Sequence, residues 1–166
     1  MIDNVNKRGI ALISIVIAII ILMMLAGIVT YMGSDIIQTT KSTAFANDIN
    51  TIYEATQEYY AVNGSLPVVE LTERTATDYL EDIRNIFGED AAESLSSELS
   101  KNGDSGATFF KVDIEKIGIK ELHYGNETDS RDFFLISTVS QEIYYYEGYE
   151  IDDELHFSNV TIMEKN

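Results

Sequence analysis

The chain contains no cysteine and no tryptophan, a single proline at Pro67, and two histidines, His123 and His156. Without cysteine there is no disulfide loop, no thiol nucleophile and no zinc–thiolate site. Basic residues are also scarce: 11 Lys and Arg stand against 28 Asp and Glu, a formal net charge of −17. Such a surface repels nucleic acid and anionic lipid headgroups, so no nucleic-acid partner is expected. The two histidines lie in different segments with no nucleophile at a recognisable spacing. No phosphate-binding glycine loop or carboxylate dyad stands out, so the reading is not an enzyme, with no cofactor and no metal. The 166 residues leave room for one membrane helix and one domain of roughly 100 residues.

Against these absences stands one long hydrophobic run. An uncharged apolar stretch begins at Ile10, directly after Lys7-Arg8-Gly9, and lasts to about Met32. At roughly 1.5 Å per residue it makes a helix of about 35 Å, enough to cross a ~30 Å hydrocarbon core. Lys7 and Arg8 hold the leader in the cytoplasm and put the remainder outside. The run is longer than the roughly 7–15 apolar residues of a secretory signal, and no Ala-x-Ala site follows it. Leu25-Ala26-Gly27 opens like a lipoprotein site but lacks the cysteine to carry lipid. A plain signal anchor remains one reading.

The second reading comes from residue order. The string KRGIALISIVIAIIILMMLAGIVTYMG resembles the class III leader of type IV pilins and type II secretion pseudopilins. The resemblance implies cleavage by prepilin peptidase between Gly9 and Ile10 after the basic Lys7 and Arg8, N-methylation at Ile10, and retention of the apolar helix. Most members carry Glu at the position held here by Ser14. There, the carboxylate is thought to neutralise the amino terminus of a neighbouring subunit inside an apolar filament core, where an unpaired ammonium is costly. Ser14 can hydrogen-bond but cannot neutralise, which implies a minor subunit at the filament tip rather than an abundant one. The helix-kinking proline common in major pilins is also missing, and Tyr31 stands near its place.

Beyond the span, Phe45, Ile49, Ile52, Thr56 and Tyr59 recur at helical spacing, with Asp48, Glu54, Gln57 and Glu58 mostly off that stripe. Asn63-Gly64 and Pro67 then supply a stop. A helix running into YYAVNGSLP looks like the spine of pilins. The expected fold is therefore α+β and pilin-like. A long N-terminal α-helix, membrane half plus amphipathic half, packs on a C-terminal antiparallel sheet of about four strands. The expected segments are a leader over 1–9, the membrane and assembly half over 10–33, the amphipathic half over 34–63, a variable and mostly helical connection over 64–107, and the sheet over 108–166. In the connection, Tyr79, Leu80, Ile83, Ile86 and Phe87 form one stripe, with Thr77 or Asp78 as cap and Gly88 as stop. Ala91, Ala92, Leu95 and Leu99 form a weaker one, and 102–106 is a loop. Strands are expected over 108–114, 133–139, 142–147 and roughly 155–162.

The expected partners are prepilin peptidase, other pilin or pseudopilin subunits, and the membrane as a single pass. With little hydrophobic gain on leaving lipid, helix association would rest on packing of small residues, namely Ala11, Ala18, Ala26 and Gly27, and on contacts between exported domains. Asp152, Asp153 and Glu154 carry hard oxygen donors but lack the spacing of a dedicated Ca²⁺ loop, and a solvated turn is the preferred reading. Alternation puts Tyr144 and Tyr146 on one face of a strand and Tyr145 on the other. An uncleaved, membrane-anchored binding or sensor domain stays open as the rival function.

Overall fold

The computed structural model describes residues 3–127, 130–151 and 154–158; of residues 3–16 and 24–39 it describes the backbone alone. The elements run α1 (Asp3–Asn63), β1 (Arg74–Thr75), α2 (Ala76–Phe87), α3 (Glu89–Asn102), β2 (Thr108–Lys111), β3 (Phe134–Ser137), β4 (Ile143–Ile151) and β5 (Glu154–Ser158). The chain divides into two compact units, Met1–Thr40 and Lys41–Asn166.

In the second unit the five strands form one antiparallel sheet in sequence order, β1-β2-β3-β4-β5. Both of its faces are covered. Leu135 pairs with Tyr144, and both join Phe109, Tyr146 and Phe157 beneath α2 and α3, packed on Tyr79, Ile83, Leu95 and Leu99. Phe134 pairs with Tyr145 and Ile136 with Ile143, on the face that meets Phe45, Ile49 and Ile52 of α1. Each of these side chains contributes about 1.5–3 kcal/mol by leaving water. Burial on both faces explains why every residue of β3 is buried.

α2 opens with a capping box in which the Thr75 hydroxyl accepts the Asp78 N–H at 3.1 Å and the Asp78 carboxylate accepts the Thr75 N–H at 3.2 Å. The cap, Thr75, therefore lies two or three residues before the expected caps, Thr77 or Asp78. α3 ends on Gly103 in the left-handed conformation, the position that favours glycine.

The expected fold is corrected. The sheet has five strands rather than about four, because the two-residue β1 pairs with β2 and falls outside the expected sheet region. The segment 64–107 is no mere connection, since α2 and α3 close an entire face of the sheet. Among the described residues no helix is long and apolar enough to cross a membrane, so the expected spine with its apolar membrane half is not shown. The described side chains inside the run are those of 17–23, about 10 Å of helix against a ~30 Å core. Strand ends differ as well. β2 stops at Lys111 and β4 continues to Ile151, while the expected continuation past Ser158 lies outside the described residues.

Candidate functional site

Three features beyond the ordinary core emerge from these elements. The first is in α1. Residues 17–23, Ile-Ala-Ile-Ile-Ile-Leu-Met, are all exposed, from 47% at Ile19 and Ile20 to 70% at Met23 among the large side chains. Seven consecutive residues make about two helical turns, so apolar surface faces outward on every side. A helix apolar all round belongs in a non-aqueous or protein environment. Of the expected assembly residues, Ala18 lies in this stretch and is exposed. Ser14, Ala26 and Gly27, with the expected processing residues Lys7, Arg8, Gly9 and Ile10, sit on the α1 backbone; their side chains lie outside the described residues.

The second feature is a set of four buried carboxylates in the acidic domain. Asp48 of α1, 5% exposed, accepts the N–H of His123 at 2.7 Å and of Tyr124 at 2.9 Å. Asp132 accepts the N–H groups of Gly125 and Asn126 and the Tyr145 hydroxyl at 2.9 Å. Asp104 accepts the hydroxyls of Ser137, Ser140 and Tyr144 at 2.6–2.8 Å. Glu98 accepts the N–H groups of Phe157 and Ser158 and the Ser158 hydroxyl. A buried carboxylate is tolerable when its lone pairs are met by donors, as here. These acids act as cross-links in a chain without cysteine. Burial and the nearby Asp104 charge push the Glu142 carboxyl up.

Sequence reasoning put Asp48 off the buried stripe, and the structure corrects this. Position 48 is three residues after Phe45 and one before Ile49, so helical spacing itself places it on the buried face. Tyr145 is likewise core, 6% exposed on the α1 face, because both sheet faces are covered.

The third feature is an open groove of about 510 Å³ between Val69 and the segment 113–127. Val69, Ile114, Ile119 and Leu122 give it an aliphatic lining, each only half-buried. Asp113, Glu115, Lys120 and Glu127 bring charge to it. Lys116 holds Asp113 at 3.2 Å, and Lys111 holds Glu127 at 2.8 Å. Burial pushes the Asp113 carboxyl up, but the Lys116 N–H and ammonium outweigh that and hold it below the usual range.

The histidines do not meet. His123 is exposed, with Nδ1 3.2 Å from Asp48 Oδ1. His156 on β5 is 4% exposed; among the described residues neither ring nitrogen has a hydrogen-bond partner, and Nδ1 lies 3.7 Å from Glu98. Among the described residues no group of three or more His, Asp or Glu side chains is arranged to hold a metal ion. Asp152 and Asp153 lie outside the described residues. Comparison with known proteins yields no matching family model, no matching curated protein and no matching solved structure.

Proposed function

We propose that this chain is a minor pilin or pseudopilin, a non-enzymatic structural subunit cut by prepilin peptidase between Gly9 and Ile10. In this reading residues 10–33 hold it in the cytoplasmic membrane as a single pass, with the acidic domain outside. The same segment then enters a type IV pilus-like or type II secretion-like filament, where lipid contacts give way to helix contacts. Ser14 in place of the family's Glu supports a position at the tip, where no ammonium above it needs a carboxylate.

The observation that carries this reading is the outward apolar surface at 17–23, directly downstream of a Lys-Arg-Gly-Ile junction. Apolar surface exposed on all sides has no use in water and is the surface that a lipid or helical-bundle environment requires. The test is the mass of the mature protein extracted from membranes of cells with active prepilin peptidase. A start at Ile10, with or without a methyl group, is expected; an intact Met1 start would remove the filament mechanism. The groove beside residues 113–127 favours a second reading, an uncleaved anchored binding domain, which the intact start would leave standing.

A further inference from the structure

The segment from Val112 to Phe133 joins β2 to β3 and carries no helix or named strand among its described residues. Connections this long without regular structure are uncommon in compact domains and usually serve a function. This one is fixed by unusual means. The N–H groups of His123, Tyr124, Gly125 and Asn126, four consecutive donors, all end on two buried carboxylates: Asp48 takes the first pair and Asp132 the second. The next N–H, of Glu127, reaches the Asp132 carbonyl at 3.0 Å. Gly125 is packed so closely that a Cβ there would lie 2.1 Å from the Phe134 ring. Burying two carboxylates to hold an irregular backbone is costly, and what that rigidity shapes is one wall of the groove, through Leu122, Gly125 and Asn126.

We infer that this groove is a preformed docking site for an extended segment of a partner protein that carries aliphatic side chains beside Lys or Arg. The half-buried Val69, Ile114, Ile119 and Leu122 accept the aliphatic part. Of the three acids lining it, Asp113 is held by Lys116 and Glu127 by Lys111, which leaves Glu115, exposed and with no ion pair among the described residues, as the acid open to a partner's cation beside Lys120. At longer range, 26 of the 28 acidic residues but only 9 of the 11 basic ones lie after Thr40. That charge steers a cationic partner inward and repels a second copy of the same domain.

The inference stands apart from cleavage after Gly9. Its test uses the full chain in neutral detergent micelles and a short fluorescent peptide of alternating Lys and Ile, followed by anisotropy. Saturable binding is expected. Ile119→Asn, which leaves the net charge unchanged, should weaken it about tenfold. Lys120→Glu, at an exposed position that the fold does not need, should tighten it severalfold. Unchanged affinity in both variants would mean diffuse attraction to an acidic surface and overturn the site. Equal binding of a Glu–Ile peptide would also overturn it, as would a dimer of this chain that the peptide displaces. An Ile10 start without peptide binding removes the groove alone; peptide binding with an intact Met1 start removes the filament alone.

Discussion

The two faces of the sheet use the same currency differently. Under α2 and α3, Asp104 binds side-chain hydroxyls and Glu98 binds the backbone of strand β5. On the α1 face, Asp48 and Asp132 bind the backbone of a loop. The difference follows from what covers each face. Helices satisfy most of their own N–H groups, so the acids near α2 and α3 are free for hydroxyls and a strand end. In the loop the four donors from His123 to Asn126 go to carboxylates rather than to backbone carbonyls, and each of them left bare in the interior would cost about 1–3 kcal/mol. One face is covered by two helices with carboxylates added, and the other by α1 and a loop whose backbone is held by carboxylates.

The sharpest way to break this contrast is Asp132→Ala. It strips the acceptors from Gly125, Asn126 and Tyr145 at once. At 1–3 kcal/mol per orphaned donor, with water rescuing part, a loss of about 4 kcal/mol is expected in urea unfolding. A loss below about 1 kcal/mol would mean that the loop is not held by this carboxylate. Gly125→Ala comes next. It places a Cβ at φ 74° against the Phe134 ring, and left-handed strain plus overpacking predicts about 3 kcal/mol. Wild-type stability in that variant would show that the loop wall can shift, and would undercut the preformed groove with it.

How much of this was legible follows the same division. The α2/α3 face announces itself: Tyr79 and Ile83 recur at helical spacing, Gly88 stops the helix, and Leu95 and Leu99 repeat the pattern. What it does not announce is that these helices cover a sheet, because periodicity marks a buried stripe without naming its partner. The strands were harder to read. Phe134, Leu135, Ile136 and Ser137 are all buried, so the alternation that would reveal a one-sided sheet is erased. β1 has two residues, too short for any pattern. The carboxylates were least legible, since an Asp in a polar run reads as solvent-facing until its donors are known. Asp104 sits in Asn-Gly-Asp-Ser-Gly, which reads as loop, yet it is fully buried. Asp48 alone had a usable signal, its place on the Phe45–Ile49 stripe.

Alkaline pH separates the faces by a smaller effect. Burial raises the Tyr79 hydroxyl well above the ordinary 10, with the Glu98 charge adding to it, and burial also raises Tyr144. Both lie under α2 and α3. On the other face, burial and the neighbouring Tyr124 push Tyr149 up to about 12. A tyrosine whose folded pKa is raised lends stability that is fully present below its unfolded pKa near 10 and is lost as pH rises above it. For Tyr149 the loss levels off near pH 12; for the other two it continues. Above pH 10 each fully buried tyrosine steepens the fall by up to about 1.4 kcal/mol per pH unit. Urea midpoints of Tyr144→Phe should therefore decline less steeply with pH than those of the unmodified chain. Parallel slopes would show that Tyr144 ionises without unfolding.

The smallest expected effect tests whether the faces are separate at all. Thr75→Ala removes the hydroxyl that accepts the Asp78 N–H and that bonds its carboxylate at 2.7 Å. Loss of such a cap costs about 1 kcal/mol. Hydrogen bonds from the Thr75 side chain and N–H hold the Asp78 carboxyl below its usual range. It therefore favours folding above its unfolded pKa, and that contribution is lost as pH falls, so the effect of Thr75→Ala should shrink in acid. Amide exchange at neutral pH tells more than the global loss. If helices hold one face and carboxylates the other, exchange should quicken in the first turns of α2 while the N–H groups of His123, Tyr124 and Gly125 keep their protection. Equal acceleration at those loop amides would mean that the domain opens only as a whole, and the wall of the groove would then owe its rigidity as much to Thr75 as to Asp48 and Asp132.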